Sequence, residues 1–162
     1  MQISQRVCQP FDATPELVFG LLLDGARFAP CFRGCGPIPG IRRIELLGPV
    51  QVGSVRRIEN TDGSVLGERL EVIECPQHHA YTLSGFRPPF SWLVHSGAAD
   101  WRLRQLAAGT EVCWCYRFTL TSVFAYPLGW PLLKIFMRCA MTRCLRAMAR
   151  ELSARPPTAN EV

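Results

Sequence analysis

The stretch E-V-C-W-C-Y-R-F-T-L-T, residues 111–121, constrains this chain more than any other. Val112, Trp114, Tyr116, Phe118 and Leu120 share one parity; Glu111, Cys113, Cys115, Arg117, Thr119 and Thr121 share the other. Successive side chains of a strand point to opposite faces. The alternation therefore predicts a half-buried β-strand with an aromatic inner face and its cysteines on the back.

The rest of the chain supplies partners for that strand. Residues 3–10 alternate as a first strand. In D-A-T-P-E-L-V-F-G-L-L-L-D, Thr14 is a good N-cap, Pro15 suits the first helical position and Glu16 sits in the first turn, so a helix runs over 15–23. A second short helix over 24–32 ends at the turn-rich C-F-R-G-C-G-P-I-P-G. Strands follow at 41–47, 54–60, 65–73, 79–86 and 91–106, and A-A-G-T turns the last of these into 111–121. Over 129–154 the apolar residues Leu133, Met137, Ala140, Met141, Cys144, Met148 and Leu152 recur at helical spacing. Lys134, Arg138, Thr142, Arg143, Arg146 and Arg150 take the opposite arc. The expected fold is α+β: a curved antiparallel sheet wrapped around a long C-terminal helix, with two short helices after the first strand. One domain over 1–154 and a disordered tail over 155–162 are expected.

Composition narrows the function. The net charge is +5, from 18 Lys+Arg against 13 Asp+Glu, and Lys134 is the only lysine. No cationic cluster is dense enough for a nucleic-acid groove. There is no G-x-G-x-x-G and no phosphate-binding loop, so no cofactor is expected. The eight cysteines do not fit a metal site. Cys31 and Cys35 give C-x3-C, Cys113 and Cys115 give C-x-C, and Cys139 and Cys144 face different ways on a helix; no two pairs match a zinc pattern. The adjacent His78 and His79 point to opposite faces of a strand. The first residues, M-Q-I-S-Q-R-V-C-Q-P, do not read as a signal peptide. The longest apolar run, 122–137, is broken by Pro127, Pro131 and Lys134. These features predict a cytoplasmic protein with reduced cysteines.

A few polar residues fall on inner faces. The parity of 91–106 places His95 inward with Leu93, Gly97, Ala99, Trp101 and Leu103, where a histidine can act as acid or base. Glu68 shares a parity with Leu66, Leu70 and Val72. A buried carboxylate needs a partner. Either Arg56 or Arg57 on the preceding strand must face inward, and Arg57 stands as the candidate. The segment F-A-Y-P-L-G-W-P-L-L offers large apolar groups beside a basic arc, which suits transient membrane contact.

The motifs T-P-E-L-V-F-G-L-L-L-D with Arg27, V-G-S-V-R-R-I, D-G-S-V-L-G-E-R-L-E-V, A-Y-T-L-S-G-F and G-T-E-V-C-W-C-Y-R-F, followed by a basic amphipathic helix, resemble the START/Bet v 1-like (SRPBCC) helix-grip superfamily. Within it they resemble the bacterial polyketide cyclase/dehydrase and lipid-transport group. The likeness runs from about residue 3 to 152. It implies a cavity for a lipophilic ligand between sheet and C-terminal helix. Trp101, Trp114, Tyr116, Phe118 and Met141 would then supply contact area, with Glu68, Arg57 and His95 setting orientation. Three functions follow: binding of an apolar or aromatic small molecule, a cyclase or dehydratase moving protons through His95 or Glu68, or a membrane-contacting lipid carrier.

Overall fold

The computed structural model describes residues 1–46 and 48–154. Strand β1 (Gln2–Phe11) leads into helix α1 (Pro15–Leu23) and the short α2 (Gly25–Phe28), which tightens into a 3-10 turn at Ala29–Cys31. The carboxylate of Asp24 caps α2 by accepting from the amides of Ala26 and Arg27 at 3.0 and 3.2 Å. A meander follows: β2 (Ile41–Leu46), β3 (Val55–Asn60), β4 (Val65–Glu74), β5 (His78–Ser84), β6 (Val94–Gln105) and β7 (Thr110–Leu120). These strands form one seven-stranded sheet in the order β1-β7-β6-β5-β4-β3-β2, antiparallel at every pairing. At the β6–β7 hairpin, Gly109 has φ +80, and a Cβ there would collide with the Phe11 carbonyl, so the turn requires glycine.

The C-terminal helical run begins earlier than its apolar stripe suggests. Helix α4 (Tyr126–Pro131) passes through a π-helical turn (Leu132–Met137) into α5 (Arg138–Ala154). Pro131 lies inside this run and has no N–H to donate, so the regular ladder is interrupted there and the next turn is widened. Leu133, Met137, Ala140, Met141, Cys144, Leu145 and Met148 are buried against the concave face of the sheet.

Three expectations need correction. Residues 91–93 are not strand: Phe90–Leu93 forms a helical turn, α3, after Pro88 and Pro89, and β6 starts at Val94. The cysteines are not all reduced. Cys8 is bonded to Cys113, and Cys35 to Cys139. The first pair arises because β1 lies beside β7 and sets Cys8 opposite Cys113, with Cα atoms 4.1 Å apart; spacing along the chain carries no sign of that pairing. The third concerns His95. The β6–β7 register slips between Val94 and Ser96, and this bulge buries Val94 and leaves His95 exposed. Leu47 and the tail over 155–162 lie outside the described residues. Among the described residues, no helix is long and apolar enough to cross a membrane.

Candidate functional site

The concave face of the sheet is filled unevenly. At one end the two inner tryptophans, paired across β6 and β7, stack at 4.1 Å between ring centroids, 17° from parallel. Phe28 meets Trp101 edge-on, and Met141 and Met148 are fully buried in the same core. His79 is buried in this region too. Its Nδ1 lies 3.0 Å from the carbonyl of Val72, which can only accept, so the neutral ring carries its proton on Nδ1. Burial, and then the charge of Arg56, pull the His79 pKa down to about 4.

Towards the other end the sheet and helix part around a cavity of about 340 Å³. Ile58, Leu66, Leu83, Phe118, Leu132 and Met137 are among the residues forming its apolar wall. Tyr116 and Phe118 lie side by side on β7 with parallel rings 4.5 Å apart. Gly97 on β6 makes room for them: a Cβ there would stand 3.1 Å from the Tyr116 ring and 3.3 Å from that of Phe118. Pro37, Ile38 and Pro39, the β3–β4 turn at Asp62–Ser64, and the Phe86–Phe90 segment also border the cavity. The β3–β4 turn is tied by Ser64 Oγ, which donates to Asp62 Oδ1 at 2.7 Å, and by Asn60 Nδ2, which donates to Ser64 Oγ at 2.9 Å.

Within this apolar wall stand Glu68, Tyr81 and Tyr116, all buried. Glu68 is held by Arg56, its direct partner across β3 and β4. Arg56 Nε donates to Glu68 Oε1 at 2.6 Å, Nη2 donates to the same oxygen, and Nη1 donates to the Leu22 carbonyl at 3.3 Å. Burial raises the Glu68 pKa, opposed by the Arg56 charge and its hydrogen bonds. Arginine keeps its proton, so the arrangement is an ion pair. Burial, then the charge of Glu68, lift the Tyr81 phenol far above its usual value. Tyr116 is lifted likewise by burial, Tyr81 and Glu68. Both remain neutral phenols at any physiological pH, able to donate and accept hydrogen bonds.

The structure thus brings together Glu68, Trp114, Tyr116 and Phe118, which all border the cavity. It leaves Trp101 and Met141 in the packed core, away from the cavity wall. Arg57 is corrected to Arg56. The register turns Arg57 outward, where Nη1 lies 3.3 Å from Glu45 and 3.6 Å from Glu59. His95 is corrected to a surface residue. Tyr81 and Leu83 were not singled out from the sequence. Their parity with buried His79 on β5 was the available signal, and it is the alternation already used for β7.

Residues 3–153 match the family described as polyketide cyclase / dehydrase and lipid transport. The chain belongs to that family. No curated protein matches it in sequence. Among solved structures it is similar to the Zhui aromatase/cyclase from Streptomyces sp. R1128, with TM-score 0.75, 18% identity and 100% of both chains covered. It is also similar to the di-domain ARO/CYC BexL from the BE-7585A biosynthetic pathway, with TM-score 0.74 and 15% identity over 96% of this chain. This chain covers 51% of BexL, about half its length. Ara h 8.0201 matches with TM-score 0.69 and 14% identity, over 96% of this chain and 100% of its own. At such identities the likeness establishes the helix-grip fold, and members of one fold differ widely in function.

Proposed function

We propose that the chain binds an apolar, ring-bearing small molecule with oxygen substituents in the cavity between β3–β7 and the C-terminal helix. The observation carrying this reading is the composition of the wall: an apolar enclosure around Glu68, Tyr81 and Tyr116. Ligand sites commonly combine an apolar lining of about 300–1,000 Å³ with a few polar groups that fix orientation. Phe118 and Leu83 would supply contact area, and the phenols would bond a keto or hydroxyl edge. Arg56 would act through Glu68, holding its carboxylate in place. Native mass spectrometry of the purified protein, followed by denaturing extraction, tests the reading. A co-purifying aromatic or lipidic molecule supports it. A protein that arrives empty and binds no member of an aromatic ligand panel counts against it.

A second reading is favoured by one observation: two phenols kept neutral beside a carboxylate. A polyketide-like substrate folded in the cavity would have its reacting carbons held close, with Tyr81 or Tyr116 positioned to protonate a developing enolate. The likeness to aromatase/cyclases agrees with this. Turnover of a polyketide-like substrate that is lost in both Tyr81→Phe and Glu68→Gln, under conditions where thermal melting shows each variant still folded, would support it. Turnover that survives both changes would remove these residues from the chemistry.

A further inference from the structure

We propose that the surface formed by α3, the turn at Val123–Ala125 and α4 docks on an anionic lipid surface beside the cavity. The first observation is an apolar patch that nothing among the described residues covers. Phe124 is 88% exposed, Trp92 70% and Leu128 68%, with Val123 and Ile135 also exposed. Trp92, Val123, Phe124 and Leu128 belong to one region. Thr121, at the base of this turn, donates through its amide to the Leu93 carbonyl at 3.1 Å and through its hydroxyl to the Trp92 carbonyl at 2.7 Å, and α3 packs on α4. Large apolar groups clustered in this way mark interaction sites.

The second observation is charge. Residues 1–111 carry 11 cationic and 11 acidic side chains, a net of 0; residues 112–162 carry 7 and 2, a net of +5, the whole excess of the protein. From 112 to 150 there is no carboxylate. Arg87, next to the prolines that lead into α3, and Arg138, just beyond the π-helical turn, form no ion pair among the described residues. Exposed Trp and Phe beside exposed arginines are what an anionic headgroup layer accommodates. A second copy of the chain is a poorer occupant, because a symmetric dimer through this face would set like charge against like.

The third observation is position. Pro89, Phe90 and Leu93, which flank Trp92 in the chain, border the cavity, and Leu132 borders it just after α4. A surface docked here would lie next to the cavity opening, the position from which a lipophilic molecule can pass between bilayer and protein. The docking itself does not depend on what the cavity holds.

Co-sedimentation with vesicles tests the proposal. One set is phosphatidylcholine alone, the other about two parts phosphatidylcholine to one part phosphatidylglycerol, and the anionic set should bind about tenfold more strongly. The double variant Phe124→Ser/Leu128→Ser should lose about tenfold or more in binding to the anionic vesicles while keeping the wild-type melting temperature, because both side chains are exposed. Arg87→Gln/Arg138→Gln should bind both vesicle types alike. In a cavity-blocked variant, Leu83→Trp, vesicle binding should be retained, so failure of docking and failure of cavity binding are seen separately. Wild-type protein that ignores lipid charge, or a Phe124→Ser/Leu128→Ser variant that sediments like wild type, overturns the proposal. So does a dimer in sedimentation velocity that this variant dissociates while vesicles bind neither form.

Discussion

The two ends of the sheet's concave face are written in the same alternating pattern and filled in opposite ways. Trp101 itself borders no cavity: it is closed in by the stacked Trp114 and the edge-on Phe28, which border the cavity themselves, and it shares the core with the fully buried Met141 and Met148. Around Phe118 and Leu83, equally buried side chains surround empty space beneath the π-helical turn. Low solvent exposure therefore means close packing at one end and a cavity wall at the other. The packed end should carry stability, and the hollow end should carry selectivity.

The largest expected effects come at charged and packed positions. Trp101→Ala should destabilise the fold by about 3–5 kcal/mol in urea unfolding, since an interior that cannot collapse retains the void. Glu68→Gln should be comparably harmful, about 3–5 kcal/mol, because Arg56 would be left buried without its counter-charge. Leu83→Ala, at a wall already facing space, should cost about 2 kcal/mol, the low end for such truncations. Equal losses for Trp101→Ala and Leu83→Ala would erase the distinction between the two ends.

A pH titration sharpens the comparison from the packed side. The folded-state pKa of His79 is depressed to about 4. Below the unfolded value of about 6.5, the unfolded chain takes up a proton that the folded chain refuses. Stability should therefore fall as pH drops from about 6.5 towards 4, by about 3 kcal/mol in total, with no His79 contribution above that window. His79→Gln should flatten this dependence; an unchanged slope would assign it to other groups. Gly97→Ala should have a smaller effect, about 1 kcal/mol, with weaker ligand binding as the Tyr116 and Phe118 rings shift. His95→Ala, on the outer surface, should change stability by less than about 0.5 kcal/mol.

Much of the architecture could be read in the chain because alternation and helical spacing are local signals. Glu111–Thr121 announced its faces, and the stripe from Leu133 to Leu152 announced a covering helix. What failed was non-local or turned on a single residue. The inward histidine depended on unbroken parity through β6, and one bulge before Ser96 reversed it. Arg56 and Arg57 differ by one position, and only the β3–β4 register, which sets Arg56 against Glu68, separates them. The disulfide between Cys8 and Cys113 required knowing that the first strand returns to the last. The resemblance implied a cavity, but which aromatics border it had no local signal: Trp101 and Phe118 read alike, and only Phe118 lies on the wall.

Titration with a fluorescent naphthalene probe, in wild type and in Leu83→Trp, tests the central claim most directly. Saturable binding at one probe per chain is predicted for wild type. In the variant, with cooperative unfolding as the check that it still folds, affinity should drop at least about tenfold as the added ring occupies the cavity. A folded Leu83→Trp protein that binds the probe as tightly as wild type would place the ligand elsewhere and contradict the account.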